Sequence, residues 1–275
     1  MNRLSLEKRA QILQCLVEGN SIRATARICD VVKNTVMKLL VEVGGACMDY
    51  HDKHVRNISC KRIQCDEIWA FCYCKEKNVP RDEVGLWGYG DVYTWTALCT
   101  DSKLMVSWMV GRRDPVWARG FINDLAERLT NRVQLTTDGH KVYLNAVNSE
   151  FGTDIDYAML VKIYGESAEI TEKRYSPAKY VSSSKEVITG NPDPNHVSTS
   201  YVERNNITMR MGMRRFTRLT NGFSKKVANM VYAVFLHFMY YNFARIHQSL
   251  RVTPAMEAGV ADRLWTIEDI AKLSD

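Results

Sequence analysis

The chain has 275 residues, 46% apolar and 25% charged, with a net charge of +6. That balance suits a globular protein with room for one large domain and a small one. The longest apolar stretch, Val227 to Tyr241, is interrupted by Asn229 and His237 and is too short to span a bilayer. No apolar leader follows Met1, so a cytoplasmic protein with no membrane partner is expected.

The eight cysteines all lie at or before Cys99 and include no Cys-x-x-Cys pair. Cys72-x-Cys74 is a weak metal signal, and plain reduced thiols are the expectation. The charge is unevenly spread: residues 1–60 carry +3, residues 61–199 carry −2, residues 200–251 carry +8 and residues 252–275 carry −3. The basic segment has one acid, Glu203. A solvated basic face explains most charge runs, but this density around a lone Glu favours a polyanionic partner.

In chain order, Ser5 caps a first helix that Gly19 ends, and Ser21 caps a short second one over Ile22 to Cys29. Asp30 opens a tight turn, and a third helix starts at Lys33 and ends near Gly44-Gly45. This is the helix-turn-helix pattern over residues 1–47. In it Lys33, Asn34, Thr35 and Lys38 reach base edges or phosphates; an ordinary three-helix bundle is the competing reading. Residues 48–60 are polar and aperiodic and read as a linker. His51 and His54 within it are three apart, a spacing that could ligate a metal, although a solvated linker is the simpler account.

From Lys61 the pattern becomes β. Arg62 to Tyr73, Val92 to Cys99 and Leu104 to Gly111 read as strands, the last two joined by a turn at residues 100–103. Asp114-Pro115 opens a helix. Val133 to Thr137 is a short strand delivering Asp138, followed by a helix from Tyr143 to Phe151 and a strand from Ile155 to Tyr164. The order is β-β-β-α-β-α-β, an α/β fold over residues 61–251. Residues 165–199 turn polar and irregular and read as a long loop or insertion. Ser198 or Thr199 then caps a helix carrying Glu203, a long apolar helix spans Val227 to Ile246, and 252–275 forms a C-terminal tail.

Three acids stand out. Asp66 lies in a β run, Asp138 ends one, and Glu203 sits on the basic helix. Carboxylates in such settings are costly unless something positive meets them, and divalent metals do so in phosphodiester chemistry. Period-2 alternation puts Asp66 and the adjacent Glu67 on opposite faces, so only one of the two is expected in a common site. On the helix, Asn206, Arg210 and Arg214 follow Glu203 at i+3, i+7 and i+11, a stripe suited to a DNA backbone. His140 could orient a water or contact phosphate, and His247 could contact DNA. His237 reads as a core histidine. Ser200 and Tyr201 lack the surroundings of a covalent recombinase nucleophile.

The motifs Asp66-Glu67-Ile68-Trp69, Thr137-Asp138-Gly139-His140 and Val202-Glu203-Arg204-Asn205-Asn206, with Arg214-Arg215-Phe216-Thr217-Arg218 and Ser224-Lys225-Lys226, resemble transposases of small bacterial insertion sequences. The insertion-sequence-one family is the nearest likeness. The resemblance implies a ribonuclease-H-like mixed sheet flanked by helices, preceded by a small all-α helix-turn-helix domain that binds transposon ends. It implies Asp66, Asp138 and Glu203 as a metal-holding triad for two Mg²⁺ ions, with Mn²⁺ as a substitute, and Asn206 and His140 as accessories. The family's basic residue seven positions after the Glu falls on Arg210. With Arg214, Arg215, Arg218, Lys225 and Lys226 it makes up the expected DNA contacts. The implied activity is cleavage at terminal inverted repeats and strand transfer to target DNA, by a homo-oligomer assembled on double-stranded DNA. Two departures stand: no N-terminal zinc ligand set, and a 65-residue gap between Asp138 and Glu203. The competing classes are a DNA-binding regulator without strand transfer and a metal-dependent nuclease of the same fold.

Overall fold

The computed structural model describes residues 3–165, 180–217 and 220–275. Three helices open the chain, α1 (Leu6–Val17), α2 (Ile22–Ile28) and α3 (Lys33–His54). The Ser5 hydroxyl accepts from the Lys8 amide and the Ser21 hydroxyl from the Ala24 amide, so both caps form as expected. α3 does not stop at Gly44-Gly45. A Cβ on Gly44 would lie 2.5 Å from Cβ of Tyr232 and 2.6 Å from its carbonyl oxygen. This glycine serves a close helix crossing instead of a helix end, and the residues 48–54 read as linker are the last turns of α3. His51 and His54 point apart: His51 is buried against the Val106 carbonyl, and His54 stacks on Tyr50.

The centre is a six-stranded mixed sheet in the order β3-β2-β1-β4-β5-β6. Its strands are β1 (Arg62–Cys72), β2 (Gly90–Cys99), β3 (Met105–Gly111), β4 (Gln134–Asp138), β5 (Asp156–Tyr164) and β6 (Tyr180–Thr189). β1, β2 and β3 pair antiparallel, β4 lies parallel to both β1 and β5, and β6 returns antiparallel along β5. The sheet order and its flanking helices are consistent with a ribonuclease-H-like fold.

β6 lies inside the segment 165–199 that reads as irregular loop. Its residues are exposed along almost its whole length. A strand at the sheet edge with no core face has no apolar alternation to betray it. Tyr73, at φ 65, closes β1, so Cys72 and Cys74 do not share a strand face; all eight cysteines are free thiols.

Helices cover both faces. α4 (Pro115–Arg128) and α5 (Val142–Phe151) pack on the face of Trp95, whose ring meets Phe121 and Tyr143. On the other face lie α6 (Ser200–Gly212) and α7 (Val227–Met239), with Trp108 against Phe235 and Phe238 of α7. α7 continues as a π-helical turn over Tyr240–Ala244. The last residues are more than a tail. α8 (Pro254–Glu257) and α9 (Ile267–Lys272) follow, Ile270 and Ala271 are buried, and buried Arg9 of α1 donates to the Ala271 carbonyl at 3.1 Å and pairs with Asp275 at 2.6 Å. N-terminal helices, sheet and C-terminal helices share one apolar core. Among the described residues no helix is long and apolar enough to cross a membrane.

Candidate active site

The site forms where two parallel strands part. β1 and β4 pair at Arg62↔Gln134, Ile63↔Leu135 and Gln64↔Thr136, and there the ladder stops. The same offset carried two residues further brings Asp66 level with Asp138. Ladder hydrogen bonds no longer fill the gap, and carboxylates do. One oxygen each from Asp66, Glu67 and Asp138 lie within 4.8 Å of one another. Crevices at the carboxyl ends of adjacent parallel strands are common ligand sites in α/β sheets.

Glu67 corrects the expectation that only one of the adjacent acids reaches a common site. Asp66 turns toward α6. On that face the Gln64 side-chain oxygen accepts from the amides of Tyr201 and Val202 at 2.9 and 3.1 Å, pinning the start of α6 over β1. Asn206, one turn along, donates from Nδ2 to Asp66 Oδ2 at 2.8 Å. Glu67 leaves by the opposite face, but its longer side chain bends back into the gap. There Arg113 Nε donates to its Oε2 at 3.1 Å, and Arg113 Nη2 lies 3.7 Å from Asp138 Oδ2. Arg113 was missed in the sequence; its only signal was a basic pair directly before the Asp114 helix cap.

The carboxylates strain one another electrostatically. The Glu67 side chain is 1% exposed and that of Asp138 32%. Burial, then the neighbouring Asp138 and Glu67 charges, push the Asp66 carboxyl up to about 7. Burial and Asp138 push Glu67 up to about 7 as well, with Arg113 pulling the other way. Oε1 of Glu67 and Oδ1 of Asn206 are buried without hydrogen-bond partners. Like-charged oxygens in a tight group, with orphaned acceptors beside them, fit a hard divalent cation, which takes oxygen ligands.

Glu203 sits on the same face of α6 as Asn206 but outside this cluster. Lys162 of β5 donates to its Oε1, and so does the hydroxyl of Thr199, which stands at the N-cap position of α6 without capping it through its side chain. Its charge still adds to the upward push on Asp66. His140 donates its backbone amide to Asp138 Oδ1 at 3.0 Å, while its ring turns inward toward Trp95 and Tyr143 and its Nε2 is buried without a partner. Burial and Arg113 hold that imidazole below its usual value.

The expected DNA contacts fare differently. Lys33, Asn34 and Lys38 are exposed at the start of α3, with Thr35 half-buried beside them, and Lys225 and Lys226 are exposed ahead of α7. Arg210 is half-buried on α6, donating to the Phe216 carbonyl at 3.4 Å. Arg214 leaves the stripe, because α6 ends at Gly212 and Arg214 belongs to the following 3₁₀ turn. Arg215 is half-buried and donates Nε to Ser224 Oγ at 2.8 Å. Arg218 lies outside the described residues.

No family model matches the chain, and no curated protein matches it. Among solved structures, a piggyBac transposase in a synaptic complex with hairpin DNA is similar at a TM-score of 0.40 and 9% identity, over 98% of this chain and 69% of that one.

Proposed function

We propose that the chain is a metal-dependent DNA transposase of the insertion-sequence type, binding the terminal inverted repeats of its element and carrying out cleavage and strand transfer. The observation that carries this reading is the meeting of Asp66 and Asp138 where β1 and β4 part, with the α6 face bearing Asn206 and Glu203 above them. Two carboxylates on neighbouring strands and a third on a helix across one strand face are the parts that the ribonuclease-H-like resemblance requires.

In this reading Asp66 and Asp138 hold Mg²⁺, with Glu203 completing the set after leaving Lys162, and Glu67 adding a fourth carboxylate. Bound divalent ions supply Lewis-acid activation of an attacking hydroxyl and stabilisation of the leaving oxygen in an in-line phosphodiester displacement. Asn206 fixes the Asp66 carboxylate, and Arg113 balances charge between Glu67 and Asp138. Lys33, Asn34, Thr35 and Lys38 read the transposon end from α3, while Arg210, Arg214, Arg215, Arg218, Lys225 and Lys226 grip flanking phosphates. Transposition pairs two ends, so a homo-oligomer on double-stranded DNA belongs to the proposal.

One observation favours a second reading. Arg113 already pairs with Glu67 and Asp138, and Lys162 with Glu203, which suits a DNA-binding regulator with no cleavage. Mg²⁺-dependent cleavage and joining of a labelled fragment carrying the element's end repeats separates the two. Wild type that cuts and joins, beside Asp138→Asn and Glu203→Gln proteins that bind but do neither, supports the transposase. Wild type that binds and never cuts supports the regulator.

A further inference from the structure

α6 presents a second, unexplained face. Tyr201, Arg204, Asn205 and Thr208 follow the i, i+3, i+4, i+7 spacing of one helix side, turned away from Glu203 and Asn206. They form one wall of a cleft of about 430 Å³, closed by Lys103 from the β2–β3 turn and by Tyr241, Arg245 and His247 after α7. No Asp or Glu lines it. Glu18 lines the recess beyond Arg245 and accepts from the Tyr240 hydroxyl at 3.2 Å. Among the described residues, Lys103, Arg204 and Arg245 form no salt bridge with a carboxylate.

Lys103 is held in position, its ammonium also donating to the Thr100 carbonyl. Lys103 takes a left-handed backbone at φ 60, Tyr241 donates its hydroxyl to the Lys103 carbonyl at 3.0 Å, and the Lys103 ammonium lies 3.5 Å above the Tyr201 ring. Tyr201 is 48% exposed, leaving part of its ring open to a ligand. Burial, followed by Lys103 and Arg245, holds His247 below its usual value, as expected where positive charges meet without a counterion. A groove whose cations have no carboxylate partner among the described residues, beside a part-exposed aromatic ring, is the arrangement that tracks a single nucleic-acid strand.

We infer that this cleft binds the sugar–phosphate backbone of a single DNA strand, with Arg204, Arg245 and Lys103 on its phosphates and Tyr201 against a base or sugar. The inference rests on the DNA-processing reading above and adds a contact on the side of α6 away from the carboxylates. A strand held on both sides of α6 would be fixed relative to Asp66 without touching it.

The test is fluorescence anisotropy of the full chain with a labelled single-stranded oligonucleotide and with the matching duplex, across a salt series. The variants are Arg204→Ala/Arg245→Ala, Tyr201→Leu and Lys103→Gln. Lys53→Ala/Lys77→Ala, which removes two exposed charges elsewhere, is the control for net charge. The arginine pair variant is expected to bind the single strand roughly tenfold more weakly, with a log–log salt slope shallower by about 1.4 for two lost phosphate contacts. Tyr201→Leu and Lys103→Gln should weaken the single strand more than the duplex, and the control should change neither. Wild-type binding to the single strand that all three cleft variants retain overturns the cleft and leaves the transposase reading standing. Wild type that binds neither DNA form overturns both.

Discussion

The side-chain amide of Asn206 donates to Oδ2 of Asp66 at 2.8 Å, while Oδ1 of the same carboxylate accepts from the Glu67 amide at 2.9 Å. Asp66 is therefore oriented from two directions, by its own strand and by α6. Partners of this kind fix ligand orientation, and their loss typically costs roughly 10–100-fold in metal affinity or activity. Asn206→Ala should lower Mg²⁺-dependent cleavage within that range and leave DNA affinity unchanged. Equal metal titrations for variant and wild type would remove α6 from the site.

Glu203 and Lys162 give a sharper test. Their ion pair is part-exposed, with side-chain exposures of 38% and 27%, so it contributes at most about 1 kcal/mol to stability. If Glu203 must leave Lys162 to reach a metal, Lys162→Met removes the competitor. The variant should unfold at nearly the wild-type denaturant concentration and need less Mg²⁺ or Mn²⁺ for half-maximal cleavage. An unchanged metal requirement would leave Glu203 as a structural pair only.

Crowded carboxylates make the metal-free protein less stable than it need be. Asp138→Asn removes one of the charges that raise Asp66 and Glu67. At neutral pH without divalent ions this variant should melt higher than wild type. With Mg²⁺ the order should reverse, because wild type gains binding energy that the variant has lost. A wild-type Tm indifferent to Mg²⁺, Mn²⁺ and chelator would rule out a bound cation at these residues.

Two buried histidines set the acid limit. Burial, with Arg128 behind it, holds His51 down at about 3, and burial with Arg245 does the same for His237. In the unfolded chain both titrate near 6.5. The unfolded state therefore binds protons first as pH falls, and stability present above about pH 6.5 drains away toward pH 3. His51 Nε2 reaches the Val106 carbonyl at 3.1 Å, whereas both ring nitrogens of His237 are buried without partners. His237→Leu should flatten the fall in denaturation midpoint between about pH 6.5 and 4, and an unflattened limb would place that loss elsewhere.

What the sequence made legible follows from where apolar periodicity exists. β1 to β5 and α4 to α7 all bury apolar side chains, and their patterns placed most of their ends within a few residues. β6 buries nothing, so its serines read as loop. Asp66 and Asp138 stand out in the sequence because acids in or at the end of apolar runs are anomalous, and the structure brings them together. Alternation allowed only one of Asp66 and Glu67 into a common site, because it fixes where a side chain starts and not how far a longer one can bend. Arg113 had no periodic signal at all, because a counterion is defined by what faces it in space.

The glycine pair at 44–45 shows how one local signal has two physical meanings. Gly after a helical run usually marks a stop, yet here the helix continues and the missing side chain lets α3 and α7 touch. Gly44→Ala would force a Cβ to within 2.5 Å of Tyr232 Cβ and 2.6 Å of its carbonyl oxygen, and a backbone atom cannot rotate away. Helix propensity alone would favour Ala by about 1 kcal/mol. Overpacking at a close crossing costs about 1–3 kcal/mol, so the net change should be destabilising. Gly45, where the nearest atom is the Tyr232 ring at 3.8 Å, should accept Ala with a gain. Denaturant midpoints of the two variants should move in opposite directions. Movement of both upward would mean that α3 and α7 do not cross at Gly44.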